Sequence, residues 1–196
     1  MLVKARDGWK AKAHHSYCAL AGLAGLGDLV LTQVGERRAD RAGRAVPDET
    51  IQREAVAAME ASGLYVAGRG SAPNDQGEVE CDAAIMDGAR MRAGGVCAAV
   101  GLVHPISAAR AVLEHTPHVL IAGAGARRLA EEQGLALVTD SAAHYRLPVG
   151  VEAEELLQLD SGLAHGTVGA VAMDREGRLA AATSTGGLFG KRAGRV

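Results

Sequence analysis

Two short apolar runs near the carboxyl end of the chain constrain its fold more than any other feature. One covers Val168–Ala172 and the other Leu179–Ala182, and a turn signal that ends in Gly177 separates them. Such runs, joined by a four-residue loop with a late glycine, are typical of a β-hairpin. Pairing predicts that Thr167 lies opposite Ser184, within one residue, with Cβ atoms about 4.5–5.5 Å apart. Taken alone, the pattern indicates a threonine-rich strand end.

The residues around this hairpin resemble those of a known family of hydrolases. The stretches HGTVGAVAMD, LAAATSTGG and KRAGRV are similar to the plant-type L-asparaginase and isoaspartyl peptidase family, whose members are N-terminal nucleophile hydrolases that use threonine. The resemblance implies self-cleavage between Gly166 and Thr167, after which Thr167 is the catalytic nucleophile. It also implies that the Thr185 hydroxyl assists Thr167 and that Arg195 binds the α-carboxylate of the substrate.

The chemistry of an N-terminal threonine supports this assignment independently. A threonine hydroxyl is a weak nucleophile unless a base accompanies it. An α-amine has a pKa of about 7.7–8.0, so a threonine freed at its own amine carries a base suited to neutral pH. Gly166 permits a strained backbone that other residues would resist. The hydroxyl of Thr167 can therefore attack the carbonyl of Gly166 and form an ester that water opens.

The fold implied by the resemblance is α+β, an incomplete form of the four-layer αββα sandwich of N-terminal nucleophile hydrolases. We expect residues 1–53 to be an unmatched N-terminal segment. Residues 54–166 would be the first-subunit part, with a linker at 135–166, and residues 167–196 the start of the nucleophile subunit. No apolar run approaches the length of about 18 residues that predicts a membrane-spanning helix.

Further elements are predicted between these landmarks. Glu80–Gly88 resembles the family's ELDA-x-IMDG signature and reads as a strand that forms a hairpin with Gly94–Val103. A helix begins at Pro105 and ends before Pro117. The run 118–122 predicts a buried strand, and a helix is expected over 127–133. Gly123 and Gly125, between this strand and this helix, suggest a nucleotide-binding loop, but no third glycine follows in register.

Asp82 and Asp87 are two carboxylates within this signature. They could be a catalytic pair, but we favour structural roles for both.

A loop after the first helix is a candidate cation site. The stretch Ala57–Gly70 reads AAMEASGLYVAGRG, and in the family the matching loop holds a sodium ion through backbone carbonyls. Backbone oxygens suit a hard cation whatever the side chains are. The alternative interpretation is a helix ended by Ser62-Gly63 and followed by a glycine loop. Relatives usually carry Asn in place of Val66, so a polar contact beside the nucleophile is lost. The implied carbonyls are those of Met59, Glu60, Ser62, Tyr65, Ala67 and Arg69.

The amino-terminal segment departs from the family. Relatives open with a strand that carries His-Gly-Gly-Ala-Gly, and this motif does not occur here. The first residues are therefore either divergent or not a native reading frame. Without that strand we expect the central sheet to have an unpaired edge.

Composition and charge bear on which partners the protein binds and on which cellular compartment it occupies. The net charge of −2 argues against nucleic acid as the main partner. The three cysteines, Cys18, Cys81 and Cys97, are spaced for neither a disulfide framework nor a zinc site, which favours the cytoplasm. Basic residues before the apolar run 17–27 resemble a signal peptide, but glycines interrupt that run and no small-x-small site follows. Export is therefore the less favoured alternative. The family suggests a dimer of cleaved heterodimers.

The leading functional interpretation is an isoaspartyl peptidase and L-asparaginase that hydrolyses asparagine or β-aspartyl dipeptides. The alternatives are a glycosylasparaginase-like amidohydrolase and a non-catalytic fragment or pseudoenzyme. In relatives the motif that contains Arg195 continues with Gly-Asp, which binds the substrate amine, and later with an oxyanion-hole Thr-Gly. Neither occurs in this sequence. Loss of one oxyanion donor typically costs roughly 10²–10³ in rate, so we expect impaired turnover.

Overall fold

The computed structural model describes residues 3–4, 18–23, 29–33, 48–147, 166–173 and 177–196. The fold is mixed α+β, as expected, and consists of a sheet with helices packed on it. The strands are β1 Val3–Lys4, β2 Cys18–Leu23, β3 Leu29–Gln33, β4 Glu80–Asp87, β5 Arg92–Val100, β6 Leu120–Ala122, β7 Val168–Met173 and β8 Leu179–Thr185. The helices are α1 Asp48–Ser62, α2 Pro105–His115, α3 Gly123–Glu132 and α4 Ser141–His144, with a 3₁₀ turn at Gly68–Gly70.

The described strands form one sheet in the order β1-β3-β2-β7-β8-β4-β5-β6. Neighbours are antiparallel except for β5 and β6, which are parallel. Both predicted hairpins, β4–β5 and β7–β8, are present, and they are adjacent because β8 pairs with β4. The hairpin that organises the sequence therefore lies in the middle of the sheet.

Strand β7 is not at an edge of the described sheet. Strand β2 pairs antiparallel with β7 along its whole length, from Cys18 opposite Met173 to Leu23 opposite Val168. The described sheet ends at β1 and β6, and the unpaired edge expected for the central sheet stays a prediction. Ladder bonds join backbone groups, so a segment that lacks the family motif can still supply a strand.

Among the described residues, the helices pack on one face of the sheet. Ile85, Ala182 and Ala170 are register partners on three adjacent strands, and all are buried under the helices. The next row, Met86, Ala181 and Val171, points the opposite way, and Met86 and Val171 are 40% and 43% exposed. We call these the helix face and the open face. Since side chains alternate along a strand, this register fixes the face of every residue in the hairpin.

Strand β6 differs from its prediction. The run 118–122 was expected to be a buried strand, but the strand is only Leu120–Ala122 and Leu120 is 60% exposed. It lies at the end of the sheet and pairs only with β5 in the part of the chain that the structure describes. Helix α3 follows at once from Gly123, four residues earlier than expected, so the suspected nucleotide loop is the first turn of this helix.

The described part of the predicted linker packs on the rest of the chain. Leu137 forms a bridge with Leu102, and the amide of Val138 donates to the carbonyl of Gly101 at 2.9 Å. Asp140 caps α4 by accepting from the amide of Ala143. The remainder of the linker, residues 148–165, lies outside the described residues. Among the helices that are described, none is long and apolar enough to cross a membrane.

Candidate active site

The two threonines singled out in the sequence lie together at one end of the β7–β8 hairpin. The last registered pair joins Val168 to Ser184, so the next step along both strands sets Thr167 against Thr185. This agrees with the sequence prediction within its one-residue tolerance. Alternation from Ala181 places Thr185 on the open face, whereas Ser184 is 1% exposed on the helix face.

Hydrogen bonds fix the end of β8. The Thr185 hydroxyl accepts from the amide of Gly187 at 3.1 Å. Asp82 is the register partner of Thr185 on β4, and its carboxylate accepts from the amide of Ala98 at 2.8 Å beside a bulge in β4–β5. Asp87 accepts from the amide of Arg90 at the next turn. Both aspartates therefore make structural bonds, as we favoured.

Gly166 lies where a side chain would not fit. A Cβ atom there would be 2.6 Å from the amide nitrogen of Val66 and 2.8 Å from its Cγ2. The carbonyl of Val66 also accepts from the amide of Gly186 at 2.7 Å. The loop that follows α1 therefore packs directly against Gly166, beside the Gly166–Thr167 bond. The loop side chain at this contact, Val66, is apolar.

The candidate cation loop begins after Gly63, as the alternative interpretation of a helix ended by Ser62-Gly63 predicted. Helix α1 ends at Ser62, and Gly63 has the left-handed φ of +68° that terminates a helix. Carbonyls at a helix carboxyl terminus lack helical partners, and the dipole there favours cations. Of the six implied carbonyls, those of four already accept a hydrogen bond, and each keeps a second lone pair: Met59, Tyr65, Ala67 and Arg69. The sodium site stays a prediction.

Glu60 has a role that the sequence analysis missed. Its side chain is fully buried, and one carboxylate oxygen accepts from the amide of Ile106 at 3.0 Å. The other oxygen lies 3.1 Å from Nδ1 of His104. From the sequence, only the backbone carbonyl of Glu60 was a candidate ligand. The available signal was its position on the apolar face of α1, four residues after Val56.

The substrate-binding role implied for Arg195 stays a prediction. Its side chain is exposed, and in the described part of the chain it makes no hydrogen bond to Thr167 or Thr185. Its backbone is nevertheless held, since its amide donates to the carbonyl of Arg192 at 3.0 Å. Only the threonine pair is thus assembled by the hairpin itself.

The segment before Arg195 is bound to the start of β4. The buried ammonium of Lys191 donates to the carbonyl of Glu80 at 3.1 Å and lies 3.9 Å from the carboxylate of Asp82. The carboxylate of Glu80 accepts from the amide of Gly194 at 2.9 and 3.0 Å. We call these contacts the tail clamp. They were not predicted from the sequence.

The cysteine nearest to the site is not an activated nucleophile. Cys81 is buried against Ser71, with Sγ and Oγ 3.3 Å apart, and burial raises the pKa of its thiol to about 12. A thiol attacks as its thiolate, so Cys81 stays inert at neutral pH. Cys81 and Cys97 are free thiols. Within the residues described, His, Cys, Asp and Glu form no cluster suited to a metal ion.

Comparisons with known proteins identify the family of this chain. The sequence model of the asparaginase family matches residues 41–196, which begins before the expected boundary at residue 54. The chain is 43% identical over 157 residues to the isoaspartyl peptidase of Salmonella typhimurium, covering 74% of this chain and 50% of that protein. It is 41% identical over 153 residues to an isoaspartyl peptidase/L-asparaginase of Xenopus laevis, covering 75% and 49%.

A third relative is archaeal in source. The plant-type L-asparaginase of Pyrobaculum calidifontis is 44% identical over 154 residues, covering 72% of this chain and 50% of that protein. The chain thus spans about half the length of the curated relatives that it matches.

Proposed function

This chain belongs to the asparaginase family, and we propose that it acts as an isoaspartyl peptidase and L-asparaginase. Its substrates would be asparagine and β-aspartyl dipeptides. The observation that carries the proposal is the placement of Thr167, directly after Gly166 and opposite Thr185. Names of the relatives favour this function over a glycosylasparaginase-like activity or a non-catalytic role.

The first proposed step is self-cleavage. The Thr167 oxygen attacks the carbonyl carbon of Gly166, the C–N bond breaks, and the nitrogen of Thr167 leaves as a protonated amine. The product is an ester between Gly166 and the Thr167 oxygen. Water hydrolyses this ester, which frees the carboxylate of Gly166 and restores the hydroxyl. The tight fit of Gly166 against Val66 supports the step, because it restrains the bond that is broken.

The second proposed step uses the same hydroxyl on the substrate. The free α-amine of Thr167 takes the hydroxyl proton as the oxygen attacks the side-chain carbonyl of asparagine or of a β-aspartyl peptide. Ammonia or the peptide amine leaves, and water hydrolyses the aspartyl ester. The hydroxyl of Thr185 assists Thr167. Arg195 binds the substrate α-carboxylate, because a guanidinium can hold a carboxylate with two parallel hydrogen bonds.

Further parts of the proposal concern assembly. The apolar open face supports a second sheet packed on it, as in a four-layer αββα sandwich, and the cleaved subunits would pair as a dimer of heterodimers. A structural sodium ion would be held by the carbonyls named above, and no other cofactor is proposed. Free thiols at Cys81 and Cys97 support a cytoplasmic location.

Self-cleavage is tested by intact-mass spectrometry of the purified chain during incubation. We expect two fragments whose masses place the cut between Gly166 and Thr167, and amino-terminal sequencing should begin at Thr167. The Thr167→Ala variant should stay whole. A parent chain that remains a single species for days would refute the proposal.

Hydrolysis is tested by ammonia release from asparagine and aspartate release from β-aspartyl-leucine. We expect product release above that of the Thr167→Ala variant, since Thr167 supplies the nucleophile. The Thr167→Ala variant is the blank. Equal product release from parent and blank would show that this chain does not carry the activity.

A further inference from the structure

A buried carboxylate connects two helices beside the candidate site. Glu60 lies in the last turn of α1, and its carboxylate accepts from the amide of Ile106 in the first turn of α2. That amide is one of the donors a helix cannot satisfy internally, and the residue at the cap, His104, supplies no side-chain cap. Glu60 thus caps α2 from another helix, and its negative charge suits the positive end of α2.

The loop after α1 packs directly on Glu60. Gly68 has a φ of +56°, and a Cβ atom there would be 2.7 Å from the Cα atom of Glu60. No side chain therefore separates the loop backbone from this residue. A change in the position of Glu60 would move Gly68 with it, because close-packed backbones transmit displacements.

The same loop contacts both sides of the candidate site. Val66, two residues before Gly68, packs against Gly166 and accepts from the amide of Gly186. Gly186 directly follows Thr185 in the sequence. One short loop therefore joins the buried carboxylate of Glu60 to the residue before Thr167 and to the residue after Thr185.

We propose that the Glu60 carboxylate is a positioning group for self-cleavage: by anchoring α1 to the first turn of α2, it holds the loop through Val66 against Gly166 and Gly186. The inference rests on the proposed self-cleavage at Thr167. Glu60 does not touch the reacting atoms, so it acts on the rate through the loop. Its carboxylate has two polar partners in the interior, the amide of Ile106 and the ring of His104.

The first experiment measures amide hydrogen exchange in a Thr167→Ala background, in which the bond stays whole. Glu60→Ala should reduce the protection of the Gly186 amide by about tenfold or more, since its acceptor on Val66 is no longer held. The matched control is Val112→Ala, a buried truncation in α2 away from Glu60. Equal protection of Gly186 in the two variants, after correction for global stability, would overturn the inference.

The second experiment measures the rate of self-cleavage with Thr167 intact. Glu60→Ala should slow it about tenfold or more, whereas Glu60→Gln should stay within about threefold of the parent, because the amide oxygen still accepts from Ile106. Val112→Ala should cleave at the parent rate at temperatures well below its unfolding. Similar slowing by Glu60→Ala and Val112→Ala would reduce Glu60 to a stability role and refute positioning.

Two arrangements keep the inference separable from the proposed function. If the parent chain does not cut itself, self-cleavage fails, and the exchange experiment still decides whether Glu60 holds the loop. If Glu60→Ala does not fold, Gly68→Ala tests the same contact from the loop side, since the added Cβ would clash with Cβ of Glu60 and must force the two backbones apart. Normal Gly186 protection and normal cleavage in Gly68→Ala would overturn the inference.

Discussion

At the scale of single residues, Thr185 and Thr183 occupy equivalent positions on the open face and differ in what they oppose. Thr185 lies across from Thr167, whereas Thr183 pairs with Gly169 and is exposed. We expect Thr185→Ala to slow self-cleavage roughly 10- to 100-fold, the effect of losing a hydrogen bond of about 1.5–3 kcal/mol to a reacting group. Intact-mass time courses measure the rate.

The matched control for that prediction is Thr183→Ala, which should cleave within about twofold of the parent because surface truncations change little. Equal slowing by Thr183→Ala and Thr185→Ala would mean that the strand end, and not one hydroxyl, assists Thr167.

The buried thiol of Cys81 makes stability depend on pH at the alkaline end. Its pKa is raised by burial from 9.0 to about 12, so the unfolded chain loses this proton above pH 9 while the folded chain retains it. The free energy of unfolding should therefore fall between pH 9 and 12, by up to about 1.4 kcal/mol per pH unit from this group. Below pH 9 the thiol is protonated in both states and contributes no slope.

Urea denaturation at a series of alkaline pH values checks this prediction. Cys81→Ala should flatten the alkaline slope relative to the parent. Cys97→Ala is the matched control, since burial also raises the pKa of this thiol but the residue is only partly buried, and it should remove less of the slope. Parallel curves for Cys81→Ala and the parent would contradict the assignment.

At the scale of elements, the hairpins could be predicted from local sequence patterns. Contacts between residues far apart in the sequence could not. Strands β7 and β8 could be read from alternation and a turn, and α2 from Pro105 at its start, because neighbours in sequence determine these features. The cap that Glu60 places on α2 spans 46 residues, and the bond from Lys191 to Glu80 spans 111. Hydrophobic periodicity in a single sequence indicates local structure, and it does not show which residues so far apart come into contact.

Burial was mispredicted for the same reason. The apolar run at β6 is indistinguishable from a core strand by composition, but its place at the end of the sheet leaves Leu120 exposed. Position in the sheet order depends on all the strands together, whereas hydrophobicity is a property of the run alone.

The tail clamp gives a prediction about one element. Glu80→Ala removes the carboxylate that accepts from the amide of Gly194, so the segment that presents Arg195 should detach from β4. We expect a loss of about 1.5–3 kcal/mol in stability, as for hydrogen bonds to charged groups. Limited trypsin digestion should cut after Arg192 faster than in the parent.

The control for the clamp is Glu78→Ala. Glu78 lies two residues before Glu80 and its side chain is exposed, and its backbone hydrogen bonds with Asn74 do not depend on that side chain. Digestion after Arg192 should then proceed at the parent rate. If Glu80→Ala and Glu78→Ala are digested alike, the tail is held by its remaining backbone bonds and not by the carboxylate.

At the scale of the whole molecule, the sheet separates a packed side from an unpacked one. Helices α1, α2 and α3 share a continuous apolar core with the helix face. The open face carries Met86 and Val171, and Thr185 belongs to it too. The candidate site is thus at the margin of an apolar surface on which no described element packs. Apolar patches of this kind mark interaction surfaces.

We therefore expect the 196-residue chain to self-associate through the open face and to bind a hydrophobic dye. Met86→Lys should weaken both effects and change stability by no more than about 0.5 kcal/mol, because the side chain is already 40% exposed. Ile85→Lys, one residue away, points to the helix face and should prevent folding or destabilise strongly, because it buries an unpaired charge. Sedimentation velocity and urea denaturation measure the two effects. A chain that stays monomeric and binds no dye would show that this face is covered. A Met86→Lys variant as unstable as Ile85→Lys would show that the two faces are not distinct.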